Sequence, residues 1–272
     1  ELGLACVSAA EQGSAFKSAG KEASAWVLAY ADPASGWHRA DYHHRTLEAF
    51  VSRMPIEPES EAACSTVRQH YDEVLREQSN GFTDALIRAH WQVGGVLHQT
   101  QIYAEAVAKT PAAVAYFLVD AMRFEMAREL VKLLPDALDM AVRPAVAALP
   151  TITRIGMAAL LPGASTGFGV MARSRELAAQ VEGTPLSTWQ ERWKFLQGKV
   201  PGTVELPLGK VSELSAKKLE AVVKSAPLVV VRSQELDSLG EGTDTGLARQ
   251  VMDTVLGNIA RAVRKLATAG IN

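Results

Sequence analysis

The sequence predicts an α/β fold: a largely parallel sheet flanked by helices, preceded by an all-helical region. Two apolar runs, 114–119 and 228–231, lack the alternation of half-buried strands and have the pattern of strands buried on both faces. Apolar residues at helical spacing follow each run, and strands that alternate with helices are typical of parallel sheets. We therefore expect the sheet to lie in residues 111–272.

Residues 1–110 show helical patterns and almost no strand signal. After Gly81, apolar residues recur at helical spacing as far as Leu97, and a shorter helix is expected before Gly81. We interpret the tryptophans of this region as core anchors and a run of acids as a linker. The tryptophans are Trp26, Trp37 and Trp91, and the acids are Glu57, Glu59 and Glu61. Because the region has no histidines at ligand spacing, we expect it to support the fold or to contact a partner.

Composition limits the function classes. The net charge of −2 argues against a general nucleic-acid binder, although an active site can hold phosphates through metal ions. No apolar run approaches the roughly 18 residues of a membrane helix, so we expect no membrane partner. Cys6 and Cys64 form neither a metal spacing nor a disulfide framework, which favours a reducing cytoplasm.

Asp120 is the first candidate site residue. It directly follows the apolar run 114–119, and ligands of open α/β sheets gather beyond the carboxyl ends of the strands. The alternative is that Asp120 caps the next helix.

Thr153 is the second candidate, because it enters a short apolar helix after Pro150. A hydroxyl residue there is ordinarily an N-cap. Free backbone amides at a helix start also attract phosphate oxygens, and a threonine touching a metal ion can become a nucleophile. The two roles are compatible.

The third candidate is the acidic segment 235–241, which follows the second apolar run. One helical turn would bring Asp237 and Glu241 to the same side, whereas Glu235 would point elsewhere from an extended segment. Crowded carboxylates repel one another, and a divalent cation relieves that repulsion. The alternative is a solvated turn.

Three sequence blocks resemble the signature blocks of the PglZ family, a branch of the alkaline phosphatase superfamily found in bacterial phage-exclusion (BREX) systems. They are Val-Asp-Ala-Met-Arg-Phe-Glu at 119–125, Pro-Thr-Ile-Thr-Arg-Ile-Gly-Met-Ala-Ala-Leu-Leu-Pro at 150–162, and Ser-Gln-Glu-Leu-Asp-Ser-Leu-Gly-Glu at 233–241. The resemblance implies an alkaline-phosphatase-like fold. It also implies divalent metal ions, zinc in the first place and manganese or magnesium otherwise, around a hydroxyl nucleophile.

The resemblance assigns roles residue by residue. Asp120 corresponds to the first metal ligand, and Thr153, rather than Thr151, to the metal-touching nucleophile. Asp237 and Glu241 correspond to further ligands, with Glu241 where related enzymes have histidine. The closing Asp-His-Gly block of the superfamily is absent and is expected after Asn272. The resemblance thus divides the chain into a helical region, 1–110, and a partial phosphatase-like domain, 111–272, which we expect to be inactive by itself.

Two functions are compatible with the sequence. The first is a metal-dependent phosphodiesterase or phosphatase-like hydrolase, including a nuclease, that acts on DNA or a nucleotide in phage defence. The second is a non-catalytic scaffold that contacts a methyltransferase or other defence subunits, which the glutamate at 241 favours. The enzyme hypothesis predicts that Asp120, Thr153, Asp237 and Glu241 converge at one edge of the sheet.

Overall fold

The computed structural model describes residues 1–13, 19–53, 57–173, 175–242 and 245–271, without the side chains of 13 and 239–250. The chain forms two units, each assembled from three segments. The first contains residues 1–96, 122–144 and 236–256, and the second contains 97–121, 145–235 and 257–272. The units are therefore not successive pieces of the chain, and the domain boundary expected at residue 110 stays a prediction.

The first unit is helical in its described part, which confirms the predicted helical region. Its helices include α1 (Leu2–Gly13), α2 (Ala23–Ala31), α3 (His38–Val51), α4 (Pro58–Arg88) and α5 (Phe124–Lys132). The rings of Trp26 and Trp37 meet edge to face with centroids 5.6 Å apart, and they pack with Cys6 and Tyr71 into one core cluster. These two tryptophans are core anchors, as predicted.

Three details of this region differ from the sequence prediction. Trp91 is 52% exposed and lies beyond the end of α4, so it is not a core anchor. One continuous helix, α4, replaces the two helices expected around Gly81. Glu59 and Glu61 lie in its first turn rather than in a linker, where carboxylates are favoured by the helix dipole.

The second unit is built on a parallel sheet, as predicted. Its strands are β2 (Val114–Val119), β7 (Val204–Pro207) and β8 (Leu228–Ser233), in the order β2-β8-β7. The central strand β8 is buried along almost its whole length. In β2, which lies at an edge of the described sheet, Leu118 is buried and the other residues are half-buried. The expectation of burial on both faces is therefore right for β8 and wrong for β2.

Shorter elements complete the second unit. They are β1 (Leu97–His98), β3 (Ala145–Val146), β4 (Phe168–Arg173), β5 (Glu176–Val181), β6 (Thr184–Pro185), α6 (Thr153–Ala159), α7 (Ala164–Gly167), α8 (Trp189–Lys199), α9 (Leu208–Glu213) and α10 (Ala216–Val223). The antiparallel strands β4, β5 and β6 lie where the sequence predicts loops. Their alanines and glycine have low strand propensity, which hides the pattern.

Two further helices follow β8 along the chain. They are α11 (Glu235–Gly242) and α12 (Thr245–Thr268). None of the helices in the described ranges combines the length and the apolarity that crossing a membrane requires.

Gly81 offers a test of packing in the first unit. A Cβ atom at Gly81 would lie 2.2 Å from the ring of buried Trp26, whereas one at Gly257, within α12, would meet nothing within 4 Å. We expect Gly81→Ala to lower the free energy of unfolding by about 1–3 kcal/mol through overpacking. The control Gly257→Ala should raise it by about 0.5–1 kcal/mol, because alanine favours the helix. Urea unfolding followed by circular dichroism measures both, and equal stabilities would contradict the packing argument.

Candidate functional site

Asp120 lies at the carboxyl end of β2, where the sequence placed it. Its side chain is buried, with 8% of the residue exposed, and its Oδ1 atom accepts a hydrogen bond from the Ala121 N–H at 3.1 Å. Ala121 has a φ of +56°, so the chain turns sharply after the aspartate. The N-cap of α5 is Arg123. Asp120 therefore does not cap the next helix, and the alternative interpretation is wrong.

The end of β8 lies next to Asp120. The Asp120 N–H donates to the carbonyl oxygen of Ser233 at 3.0 Å, which extends the ladder of the parallel pair. The buried hydroxyl of Ser233 donates to the carboxylate of Glu235, the first residue of α11. Carboxylates thus follow both of these neighbouring parallel strands at one edge of the sheet.

Arg192 of α8 is a residue that the sequence interpretation missed. It is 7% exposed, and its Nη1 atom donates to the carbonyl oxygens of Leu186 at 3.3 Å and of Ser187 at 3.1 Å. Burial lowers the pKa of Arg192, while the neighbouring carboxylate of Asp120 acts in the opposite direction. Arg192 is therefore a buried cation of the second unit.

A capping box fixes the start of α8 beside Arg192. The Thr188 hydroxyl accepts from the Glu191 N–H, and the Glu191 carboxylate accepts from the N–H groups of Thr188 and Ser187. The bond from Thr188 and the ion pair with Arg173 lower the pKa of Glu191 to about 2. The sequence could have pointed to Arg192, because this charged residue lies among apolar residues at helical spacing. The apolar members are Trp189, Trp193 and Leu196, which join the core cluster of the second unit.

Thr153 is exposed and is the first residue of α6. The N-cap is Ile152, which has an extended backbone and makes no side-chain capping bond. The expected capping role of Thr153 is therefore wrong, because the helix begins at Thr153 itself, one residue earlier than that role requires. Thr151 is exposed as well. The convergence of Thr153 with Asp120 stays a prediction.

Asp237 and Glu241 lie on one helix, α11, so the expected helical turn between them is present. Asp237 is half-buried, and the side chain of Glu241 lies outside the described residues. From Leu236 onward this helix belongs to the first unit, whereas Asp120 and Thr153 belong to the second. Their convergence also stays a prediction. Among the side chains that the structure describes, no three from histidine, cysteine, aspartate and glutamate are grouped to hold a metal ion.

Glu125, the last residue of the block 119–125, has a different environment from Asp120. Its carboxylate is buried and accepts from Arg45 at 3.0 Å and from Arg123 at 2.8 Å. Arg45 is 2% exposed and also pairs with Asp253 at 2.5 Å. These contacts lie within the first unit. They give Glu125 a structural role in the block that also contains Asp120.

A family model decides what the chain is related to. The model of the BREX system PglZ alkaline phosphatase-like domain matches residues 101–269, more than half of the chain. The chain belongs to this family. The match confirms the resemblance drawn from the three sequence blocks, all of which lie inside the matched range. It places the chain in the phage-defence context of BREX systems and agrees with the parallel sheet and flanking helices.

Comparison with curated proteins and with solved structures gave no match. The relationship of this chain to known proteins therefore rests on the PglZ family model. Because β2, α8 and β8 lie within the matched residues, Asp120 and Arg192 both belong to the PglZ domain.

The buried ion pair of the block 119–125 gives a stability prediction. We expect Glu125→Ala to lower the free energy of unfolding by about 3–5 kcal/mol, because Arg45 would keep a buried charge without its main partner. The control Glu213→Ala removes an exposed pair with Lys210 and should change it by less than about 0.5 kcal/mol. Thermal unfolding of both variants measures the difference. A double variant, Arg45→Met with Glu125→Leu, should be more stable than Glu125→Ala, and the opposite order would contradict the argument.

Proposed function

We propose that the PglZ domain hydrolyses phosphoric esters with a divalent metal ion, using Asp120 as a metal ligand and Thr153 as the nucleophile. The observation that supports this most strongly is the buried carboxylate of Asp120 at the carboxyl end of a parallel strand, inside the matched part of the chain. Ligand sites of α/β sheets lie at such strand ends.

The donor set suits a divalent cation. Asp120 and Glu235 supply carboxylates after neighbouring strands, and Asp237 and Glu241 are the proposed further ligands from α11. Zinc, manganese and magnesium all accept carboxylate oxygen, and the superfamily generally uses divalent metals. We propose zinc, the ion that the sequence resemblance implies in the first place. When bound, the ion would stabilise the charge on the phosphate and favour deprotonation of the nucleophile.

The chemistry of the chain's own residues centres on Thr153. Its hydroxyl is exposed and carries no capping bond to give up, so it is accessible to a substrate. The deprotonated Oγ1 would form a bond to phosphorus while the ester oxygen leaves with its bonding electrons and takes up a proton. Water would then hydrolyse the phosphothreonine and restore the hydroxyl.

The proposed substrates are phosphodiesters of DNA or a nucleotide, and the proposed partners are other defence subunits in the cytoplasm. The net charge of −2 favours recognition of the phosphate at the site itself over binding along a basic surface. The second candidate function is a scaffold for a methyltransferase or another subunit. Glu241 favours it, because related enzymes have histidine at that position, and fold by itself does not ensure chemistry.

The nucleophile is tested by comparing two exposed threonines. In the full-length protein, Thr153→Ala should abolish cleavage of a phosphodiester, whereas Thr151→Ala should keep it, since Thr151 has no proposed role. Because Thr153 makes no cap, its substitution should change the free energy of unfolding by less than about 0.5 kcal/mol. Hydrolysis of a chromogenic phosphodiester with added zinc measures activity. Full activity in Thr153→Ala would reject it as nucleophile, and inactivity of the wild type with zinc, manganese or magnesium would favour the scaffold.

The metal ligand is tested separately from activity. Asp120→Asn in the full-length protein should weaken zinc binding by more than about 100-fold, since losing even a neighbour of a ligand typically costs about 10–100-fold. Asp136→Asn, at an exposed aspartate of the matched range, is the control and should bind zinc as the wild type does. Calorimetric titration measures both affinities. Equal zinc affinity in the two variants would show that Asp120 is not a ligand.

A further inference from the structure

The strand β4 has one side that no strand in the described part of the chain covers. The antiparallel sheet has the order β4-β5-β6, so β4 is an edge strand that pairs with β5 alone among the described strands. On the far side of β5, the two-residue strand β6 contains Pro185, which cannot donate to a further strand. β4 is six residues long and contains neither proline nor lysine, which natural edge strands use against pairing. Its edge is therefore unprotected.

The hydrogen bonds around β4 show which of its backbone groups point outward. The Glu182 N–H donates to the carbonyl oxygen of Gly167 at 2.8 Å, and the register continues from there along the strand. Hydrogen-bonded and non-hydrogen-bonded pairs alternate in an antiparallel ladder, so residues 168, 170 and 172 turn their backbone groups away from β5. The Phe168 N–H accordingly donates to the carbonyl oxygen of Ala164. The Phe168 carbonyl and both backbone groups of residues 170 and 172 thus face the open side.

The side chains at this edge are apolar and exposed. Val170 is 37% exposed, Ala172 is exposed, and Leu177, which lies opposite Ala172 on β5, is 45% exposed. The three share one face of the sheet, because opposite residues and alternate residues of paired strands lie on the same side. The charged residue of β4 is Arg173, at the end of the strand. An edge with outward backbone groups and exposed apolar side chains is a template for a further strand.

We propose that β4 pairs with β4 of a second copy of this chain, antiparallel about a two-fold axis at Val170. In this register the outward-facing residues of both strands all lie opposite one another. Phe168 would face the partner's Ala172, and Gly169 would face the partner's Met171, so that each large side chain lies against a small one. A shift by two residues would instead place Met171 against Met171 or Gly169 against Gly169. The edge is thus complementary to itself, as a two-fold interface requires.

Charges at the ends of the strands fit the same register. Arg173 would face Gly167 of the partner. A Cβ atom at Gly167 would lie 2.8 Å from the Cγ atom of Glu182, so the partly exposed Glu182 side chain lies over this glycine. Each Arg173 would therefore approach the Glu182 carboxylate of the other copy. The two Arg173 side chains would start about 20 Å apart along the strands, a distance at which salt screens their repulsion. This charge complementarity favours a second copy as the occupant.

Cysteine cross-linking tests the register. In the full-length protein with Cys64→Ser, Val170→Cys should give a disulfide-linked dimer on mild oxidation, because the two Cα atoms would lie about 5.5 Å apart. Cys6 is buried and can stay. The matched control Ala172→Cys is equally exposed but should not cross-link, since the two copies of residue 172 would lie about 14 Å apart along the strands. Denaturing electrophoresis without reductant measures both. Equal cross-linking of the two variants, or none in Val170→Cys, would contradict the register.

Sedimentation velocity over a range of protein concentrations measures the association itself. The wild type should form a dimer, and Val170→Lys should raise its dissociation constant at least about 10-fold, because two like charges would face each other at the axis. The control Val222→Lys adds the same charge at an exposed position of α10 and should dimerise as the wild type does.

Val170→Pro separates the backbone from the charge. The Val170 N–H points away from β5, so proline removes a donor of the proposed interface without removing a bond of the β4–β5 ladder. We expect a monomer with an unchanged circular dichroism spectrum.

A wild type that stays monomeric would overturn the proposal, and so would a dimer that Val170→Lys and Val170→Pro leave intact. Pairing of β4 with a strand of another defence subunit, while the protein alone is monomeric, would also overturn it. The outcome is independent of whether the domain hydrolyses a phosphoric ester.

Discussion

The candidate site depends on the parallel pairing of β2 with β8. The register from Val114 opposite Leu228 to Val119 opposite Ser233 brings both strands to the same edge, where the Asp120 N–H adds one more bond to Ser233. A slip of one residue would turn every side chain of β2 to the opposite face. The burial of Leu118 opposes such a slip, because its apolar side chain would leave the core cluster. Packing of the sheet therefore positions the carboxylate.

Charge balance explains what surrounds that carboxylate. A buried anion is costly unless a cation or hydrogen bonds compensate it. In the first unit, Glu125 is enclosed by Arg45 and Arg123, and these bonds use much of the hydrogen-bonding capacity of the pair. In the second unit, burial lowers the pKa of Arg192 and the charge of Asp120 raises it, and the Nε atom of Arg192 has no hydrogen-bond partner among the described residues. The contrast separates an arginine whose donors are bound by carboxylates from one whose described hydrogen bonds go to backbone carbonyls.

The block 119–125 contains both the proposed metal ligand, Asp120, and the buried ion pair of Glu125. Asp120 belongs to the second unit, and Arg123 and Glu125 belong to the first, so the chain passes between units directly after the turn at Ala121. We expect substitution of either acid to affect the protein, for different physical reasons. The family match covers the whole block and by itself does not distinguish these reasons.

The sequence by itself determined the two main strands, the helices that follow them and the position of Asp120, because apolar runs and helical periodicity are local signals. It also carried the blocks that identify the PglZ family. It did not reveal β4 and β5, whose weak strand propensity is overcome by pairing, or the exposure of Trp91. Only the tertiary structure buried Arg192, because its burial follows from how α8 packs against core residues that are far away in the chain.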